Sequence, residues 1–333
     1  RSVMTSLAGR GAPAGGLAQG LRAVGLVALL LLVSGCLHRG VTPIRTHFNK
    51  GVYHYSEGAI DDAISEYRLA LEEEPADHRA RFNLAEALEV RAQQLAAEGE
   101  AARAGGMVRE AGEHYRRILT EAPGHLRATV NLAAHERATD PAAAEARLRE
   151  AVATHPRSAL PRVALAAHRL EDGSPQALGE AVQLLEEALD RDAGHVDARV
   201  LLGHALSRRA EAADGATRNE LLGRARTAYR RALKGSSEDI GALLALARLE
   251  RQAGQPEAAL PWLRRALYVR SDLIEAHVSL AEILADRGEL EQATVHLWQA
   301  RQLEDAHQPH LEPGAYRERL LELYRRLTEQ ETR

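Results

Sequence analysis

One spacing recurs seven times along this 333-residue chain and limits what it can fold into. A small residue is followed, after a variable interval, by an alanine and then, seven residues on, by a second alanine, once replaced by Ile118. The triplets are Gly51/Ala63/Ala70, Ala85/Ala111/Ile118, Ala133/Ala144/Ala151, Ala166/Ala181/Ala188, Gly203/Ala225/Ala232, Ala247/Ala259/Ala266 and Ala281/Ala293/Ala300. Each lies in an apolar stripe of helical period. Two helices cross closely only where side chains are small, so Gly or Ala occupies the contact and larger residues fill the gaps around it. One helix pair cannot bury its stripe alone. A period near ~34 residues built on helix pairs therefore predicts neighbours stacked into a solenoid.

The residues around each triplet sharpen the frame. Leu84, Leu132, Leu165, Leu202, Leu246 and Leu280 precede the small residue, with Lys50 there in the first unit. Tyr67, Tyr115, Leu148, Leu185, Tyr229, Leu263 and Leu297 stand four residues after the first alanine, and Pro75, Pro123 and Pro156 close the first three units. This pattern resembles the tetratricopeptide repeat (TPR) family, in which the small residue and the two alanines fall at positions 8, 20 and 27. The resemblance covers residues 44–307 as units 44–77, 78–125, 126–158, 159–195, 196–239, 240–273 and 274–307. It implies an all-α, right-handed α-solenoid of seven TPR helix pairs. Residues 308–333 are expected to cap it, with a helix from about Ala315 to Glu329 after Pro313-Gly314 and a stripe of Tyr316, Leu320, Leu323, Tyr324 and Leu327.

Length variation falls between the small residue and the first alanine. The second unit gains fourteen residues, with Gly105-Gly106 as the expected turn, and the fifth gains ten around Asp214-Gly215. The fourth gains three around Asp172-Gly173-Ser174-Pro175.

Residues 1–35 carry only Arg1, Arg10 and Arg22 as charges and end in an apolar run from Ala23 to Val33. That run suits a secretion signal rather than a bilayer span. It stops at Leu32-Val33-Ser34-Gly35-Cys36, which resembles a bacterial lipobox: small residues before a cysteine whose thiol accepts the lipid. Residues 1–35 are accordingly read as a removed signal peptide, with Met4 or an upstream codon as its start. Residues 36–43 are read as the lipidated (palmitate-type) terminus and linker. Leu37 after the cysteine, by resemblance to enterobacterial lipoproteins, implies an outer-membrane anchor facing the periplasm rather than the inner membrane.

Composition narrows the function. Charged residues make up 27% of the chain, the net charge is −4, and lysine occurs only at Lys50 and Lys234. No basic patch points to nucleic acid. The fifteen histidines include His78, His125, His155 and His195 near unit junctions, but none forms a ligand set at zinc spacing, so no metal is expected. His307 and His310 lie close together without a third ligand, and Arg248 with Arg251 reads as a solvated basic spot. Trp262 and Trp298 are read as packing residues. No GxSxG, HExxH, P-loop or dinucleotide turn occurs, so the chain is not expected to be an enzyme, to need a cofactor beyond the lipid, or to take a small-molecule substrate.

In the TPR family the inner groove is lined by positions 2, 5, 6, 9 and 12 of the first helix. Carried over, these are Arg45, Phe48, Asn49, Val52 and Tyr55, then Arg79, Phe82, Asn83, Glu86 and Glu89, then Arg127, Val130 and Asn131. Arg, an apolar residue and Asn recur in order. Arg holds a carboxylate through two hydrogen bonds, and Asn serves a peptide backbone as donor and acceptor. Phe48 and Phe82 are expected as apolar anchors. The expected role is a lipid-anchored scaffold for protein or peptide partners in assembly of an envelope machine, such as type IV pilus or secretion, polysaccharide export or gliding. The alternative is an adaptor that localises a periplasmic enzyme, such as a peptidoglycan hydrolase or protease.

Overall fold

The computed structural model describes residues 46–305 and 317–331. The signal peptide, Cys36, the linker, Arg45, the Pro313-Gly314 break, His307, His310 and Tyr316 lie outside them. Among the described residues there are fifteen α-helices and no strand. The chain divides into two compact units, one ending at Pro75 and one beginning at Ala76.

The first unit holds α1 (His47–Ser56) and α2 (Ile60–Glu73). Thr46 caps α1, its hydroxyl accepting from the Asn49 N–H at 3.4 Å. The two helices close on Gly51. A Cβ built there would stand 2.6 Å from the Tyr67 ring, so only glycine lets the ring lie flat on the backbone. Ile60, Ala63, Ile64 and Ala70 complete the buried stripe of α2.

The second unit continues as α3 (His78–Ala97), α4 (Ala101–Glu121), α5 (Leu126–Glu136), α6 (Pro141–Thr154), α7 (Leu160–Asp172) and α8 (Pro175–Arg191). Then follow α9 (Val196–Glu211), α10 (Gly215–Gly235), α11 (Ile240–Gln252), α12 (Pro256–Val269), α13 (Ile274–Asp286), α14 (Leu290–Asp305) and α15 (Arg317–Glu331). Each helix packs chiefly on its neighbours in sequence. Starts are written in side chains: Asp77, Asp140, Ser174 and Asp239 accept from first-turn N–H groups, and Pro141, Pro175 and Pro256 open their helices. His125 and His195 do the same through Nδ1, accepting from Ala128 and Ala198 at 3.2 and 3.4 Å. That gives two of the four junction histidines a capping role, whereas His78 follows the capping Asp77 and His155 meets the Thr154 hydroxyl.

Every residue of the seven triplets is buried, none more than 6% exposed among the alanines and Ile118. The residues four beyond the first alanine are buried with them. Burying Leu148, Leu185, Leu263 and Leu297 contributes about 1.5–3 kcal/mol each. One core runs from Ala159 to Leu327, and a smaller one, Ala92, Leu95 and Ala104, fills the long α3–α4 pair.

Three expectations are corrected. The turn of the second unit lies at Gly99, with φ +83°, while Gly105 and Gly106 sit inside α4. In this repeat glycine is needed at the left-handed residue that ends α3, and the fourteen extra residues lengthen both helices, to 20 and 21 residues. Trp298 is exposed rather than packed, at 61%, whereas Trp262 packs against the core. In α15, Leu320, Leu323 and Leu327 are buried but Tyr324 faces outward. The turns at Gly173 and before Gly215 fall where expected.

Candidate functional site

In the first unit, Val52 and Tyr55 are exposed on α1, and Phe48 and Asn49 are half-buried. The Phe48 ring leans on Tyr67, with centroids 6.2 Å apart.

In the compact unit that begins at Ala76 the residues fall on α3 and α5, which face each other through two polar contacts. Arg127 donates to Glu86 at 2.6 Å, and His135 Nε2 lies 2.5 Å from Glu89 Oε1. Phe82 is not a free anchor. It is 3% exposed, with its ring centroid 5.6 Å from that of Tyr115 and 5.4 Å from that of His125. The Arg127 guanidinium covers it at 4.4 Å, a cation–π contact. Asn131 donates through Nδ2 to the Tyr115 hydroxyl at 2.9 Å. Arg79 turns back on the capping Asp77.

The Arg–apolar–Asn order therefore has a fold role here. Phe82 is core, and Arg127 and Asn131 tie one helix to the next. Asn83, Glu86, Val130 and Arg127 still reach the surface, the first three partly and Arg127 openly. Burial, aided by the neighbouring Glu89, holds Glu86 above the ordinary carboxylate range against the pull of Arg127. Burial also pushes the Tyr115 hydroxyl far up, so it stays neutral. An ion pair this close to solvent contributes at most about 1 kcal/mol, so an incoming carboxylate can exchange with Glu86 on Arg127 at little cost.

Sequence reasoning missed how fully the later arginines are committed. Arg248 donates to Glu275 and Arg251 to Ser279 and Glu282, so the expected basic spot is neutralised. Glu250, 3% exposed, takes two hydrogen bonds from Arg226 at 3.0 Å and one from Arg230 at 3.4 Å. Among the described residues no three His, Cys, Asp or Glu side chains converge as metal ligands, and no helix is long and apolar enough to cross a membrane.

The tetratricopeptide-repeat model matches residues 48–105 and 210–272. Among curated proteins, none matches the sequence. Human IFIT1, solved as a dimer with m7Gppp-AAAA, is similar at TM-score 0.63 and 17% identity, over 82% of this chain and 60% of its own. This chain thus spans about three-fifths of that protein's length. A tetratricopeptide repeat protein from Parabacteroides merdae is similar at TM-score 0.52 and 15% identity, over 85% of this chain and 97% of its own. Pseudomonas aeruginosa pilF is similar at 0.50 and 18%, over 71% and 96%. At these identities the likeness is one of fold.

Proposed function

We propose that this chain, whose tetratricopeptide-repeat fold supports a protein-interaction scaffold, captures a peptide segment of a partner on the α3–α5 face. The observation that carries this reading is the exchangeable Arg127–Glu86 pair beside Asn83 and Val130. Arg127 offers a carboxylate site, Asn83 a backbone partner and Val130 an apolar contact. The bound segment is expected to be acidic and extended.

The scaffold is further proposed to be held at the outer membrane by lipid on Cys36, with its body in the periplasm, where it assists assembly of an envelope machine of the pilus, secretion, polysaccharide-export or gliding type. Support lies in the sequence: the apolar run Ala23–Val33, the Leu-Val-Ser-Gly-Cys order that ends it, and the repeats that follow at once.

Two variants of the full chain test the two halves. Asn83→Ala with Arg127→Gln is expected to abolish partner co-purification while helicity holds and the melting temperature falls by only a few degrees. Unchanged recovery would contradict the face assigned. Cys36→Ser is expected to move the protein from the membrane to the soluble fraction and to end labelled-palmitate incorporation. A variant that stays membrane-bound would contradict the anchor. Recovery of a soluble hydrolase as the partner would favour the adaptor role.

A further inference from the structure

A second binding feature stands apart from the α3–α5 face. A cleft of about 410 Å³ opens between α8, α9 and α10. Its size falls at the low end for ligand sites, roughly 300–1,000 Å³, which suits a short peptide end rather than a helix. The floor is aliphatic. Leu206 is 1% exposed at the bottom, and Leu189 and Leu202 form half-buried walls. Leu202 occupies the position before the small residue that is fully buried in the other units carrying leucine there. Here it is turned to the cleft instead.

The rim is charged and unbalanced, with three arginines against two glutamates. Arg224 is already paired with Glu186 at 2.5 Å, and Arg199 donates to the Ala193 carbonyl. Arg231 is exposed and has no acidic partner among the described residues. A cation at the edge of an aliphatic floor complements a ligand that carries a carboxylate next to an aliphatic side chain.

We propose that this cleft binds the free C-terminus of a partner protein that ends in leucine-type residues. The terminal carboxylate would lie on Arg231 and the side chain on Leu189, Leu202 and Leu206. The site needs none of the residues of the α3–α5 face, so either can fail without the other.

The backbone provides a clean control. A Cβ built on Gly223, which lines the cleft, meets nothing within 4 Å. Gly223→Leu would therefore fill the cleft without displacing core atoms.

The test is methyl NMR of the leucine-labelled full chain titrated with N-acetyl-Leu-Leu, as the free acid and as the C-terminal amide. The acid is expected to shift the Leu189, Leu202 and Leu206 methyls in the millimolar range. The amide and Arg231→Ala should each weaken binding about tenfold, as loss of one charge-assisted hydrogen bond predicts. Gly223→Leu should abolish the shifts while methyls elsewhere keep their positions. No shift with the acid, equal binding of acid and amide, or undiminished binding by Arg231→Ala or Gly223→Leu would overturn the proposal.

Discussion

His277 Nδ1 lies 3.0 Å from His296 Nδ1, joining α13 to α14 inside the last helix pair. The ring centroids are 5.2 Å apart, so the two nitrogens point at one another, as in a hydrogen bond rather than around a shared metal. His277 Nε2 is 2.9 Å from the Ser271 carbonyl, which only accepts. In the neutral pair His277 therefore carries its proton on Nε2, and His296 Nδ1–H donates to His277 Nδ1. The bond has room for one proton.

A pH dependence follows. Burial lowers the pKa of both rings, and the His277 and Arg264 charges press further on His296, opposed by the hydrogen bond that the protonated ring donates to Gln299. The unfolded chain then binds more protons than the folded one below the ordinary histidine value of about 6.5, so stability is full above that value and falls as pH drops through and below it. His125 and His204, also lowered chiefly by burial, add in the same direction. The urea midpoint is expected to fall between about pH 7.5 and 5. It should fall less in His296→Gln, whose amide keeps the bond but cannot take up a proton. Equal falls in the two proteins would contradict this.

Two glycines on adjacent helices should respond oppositely to alanine. At Gly203 a Cβ would stand 2.5 Å from the Tyr229 ring, which is 1% exposed and cannot withdraw. Gly203→Ala is expected to cost about 1–3 kcal/mol through overpacking. Gly223 faces open space within α10, so Gly223→Ala should stabilise by about 0.5–1 kcal/mol through helix propensity. Thermal denaturation of both variants checks the pair.

These glycines also show what the sequence makes legible and what it hides. The small-residue spacing announces Gly51 under Tyr67 and Gly203 under Tyr229, because close helix approach leaves no other choice at those positions. It does not announce the turn of the second unit. Gly105-Gly106 looks like a turn by composition, but helix interiors tolerate glycine, whereas only Gly99 adopts the left-handed conformation that ends α3. The readable sign was a single glycine just after the last helical turn, as at Gly58, Gly254 and Gly288. The groove was half legible. Repeat position puts Phe82 and Asn131 on the right helices, but only the packed structure shows Tyr115 taking up both.

Glu250 is expected to hold α11 to α10. Its carboxylate is nearly excluded from water and takes three arginine hydrogen bonds from α10. Glu250→Ala leaves Arg226 and Arg230 uncompensated beside a cavity and should cost about 3 kcal/mol, read from chemical denaturation. A loss within experimental error would mean that the arginines relax into solvent.

Phe82→Ala is predicted to act on the fold. Removing a buried ring that touches Tyr115 and His125 should cost about 3–5 kcal/mol. Lost partner capture in that variant should therefore come with a lowered melting temperature.

The central claim is that the α3–α5 face is where a partner is held. Photo-crosslinking in intact cells from a benzoylphenylalanine at position 83 or 130, with position 150 on the exposed side of α6 as control, tests it most directly. A defined protein adduct is expected at 83 and 130, absent at 150 and lost with Arg127→Gln. Adducts equal at all three positions, or none at 83 and 130, would contradict it.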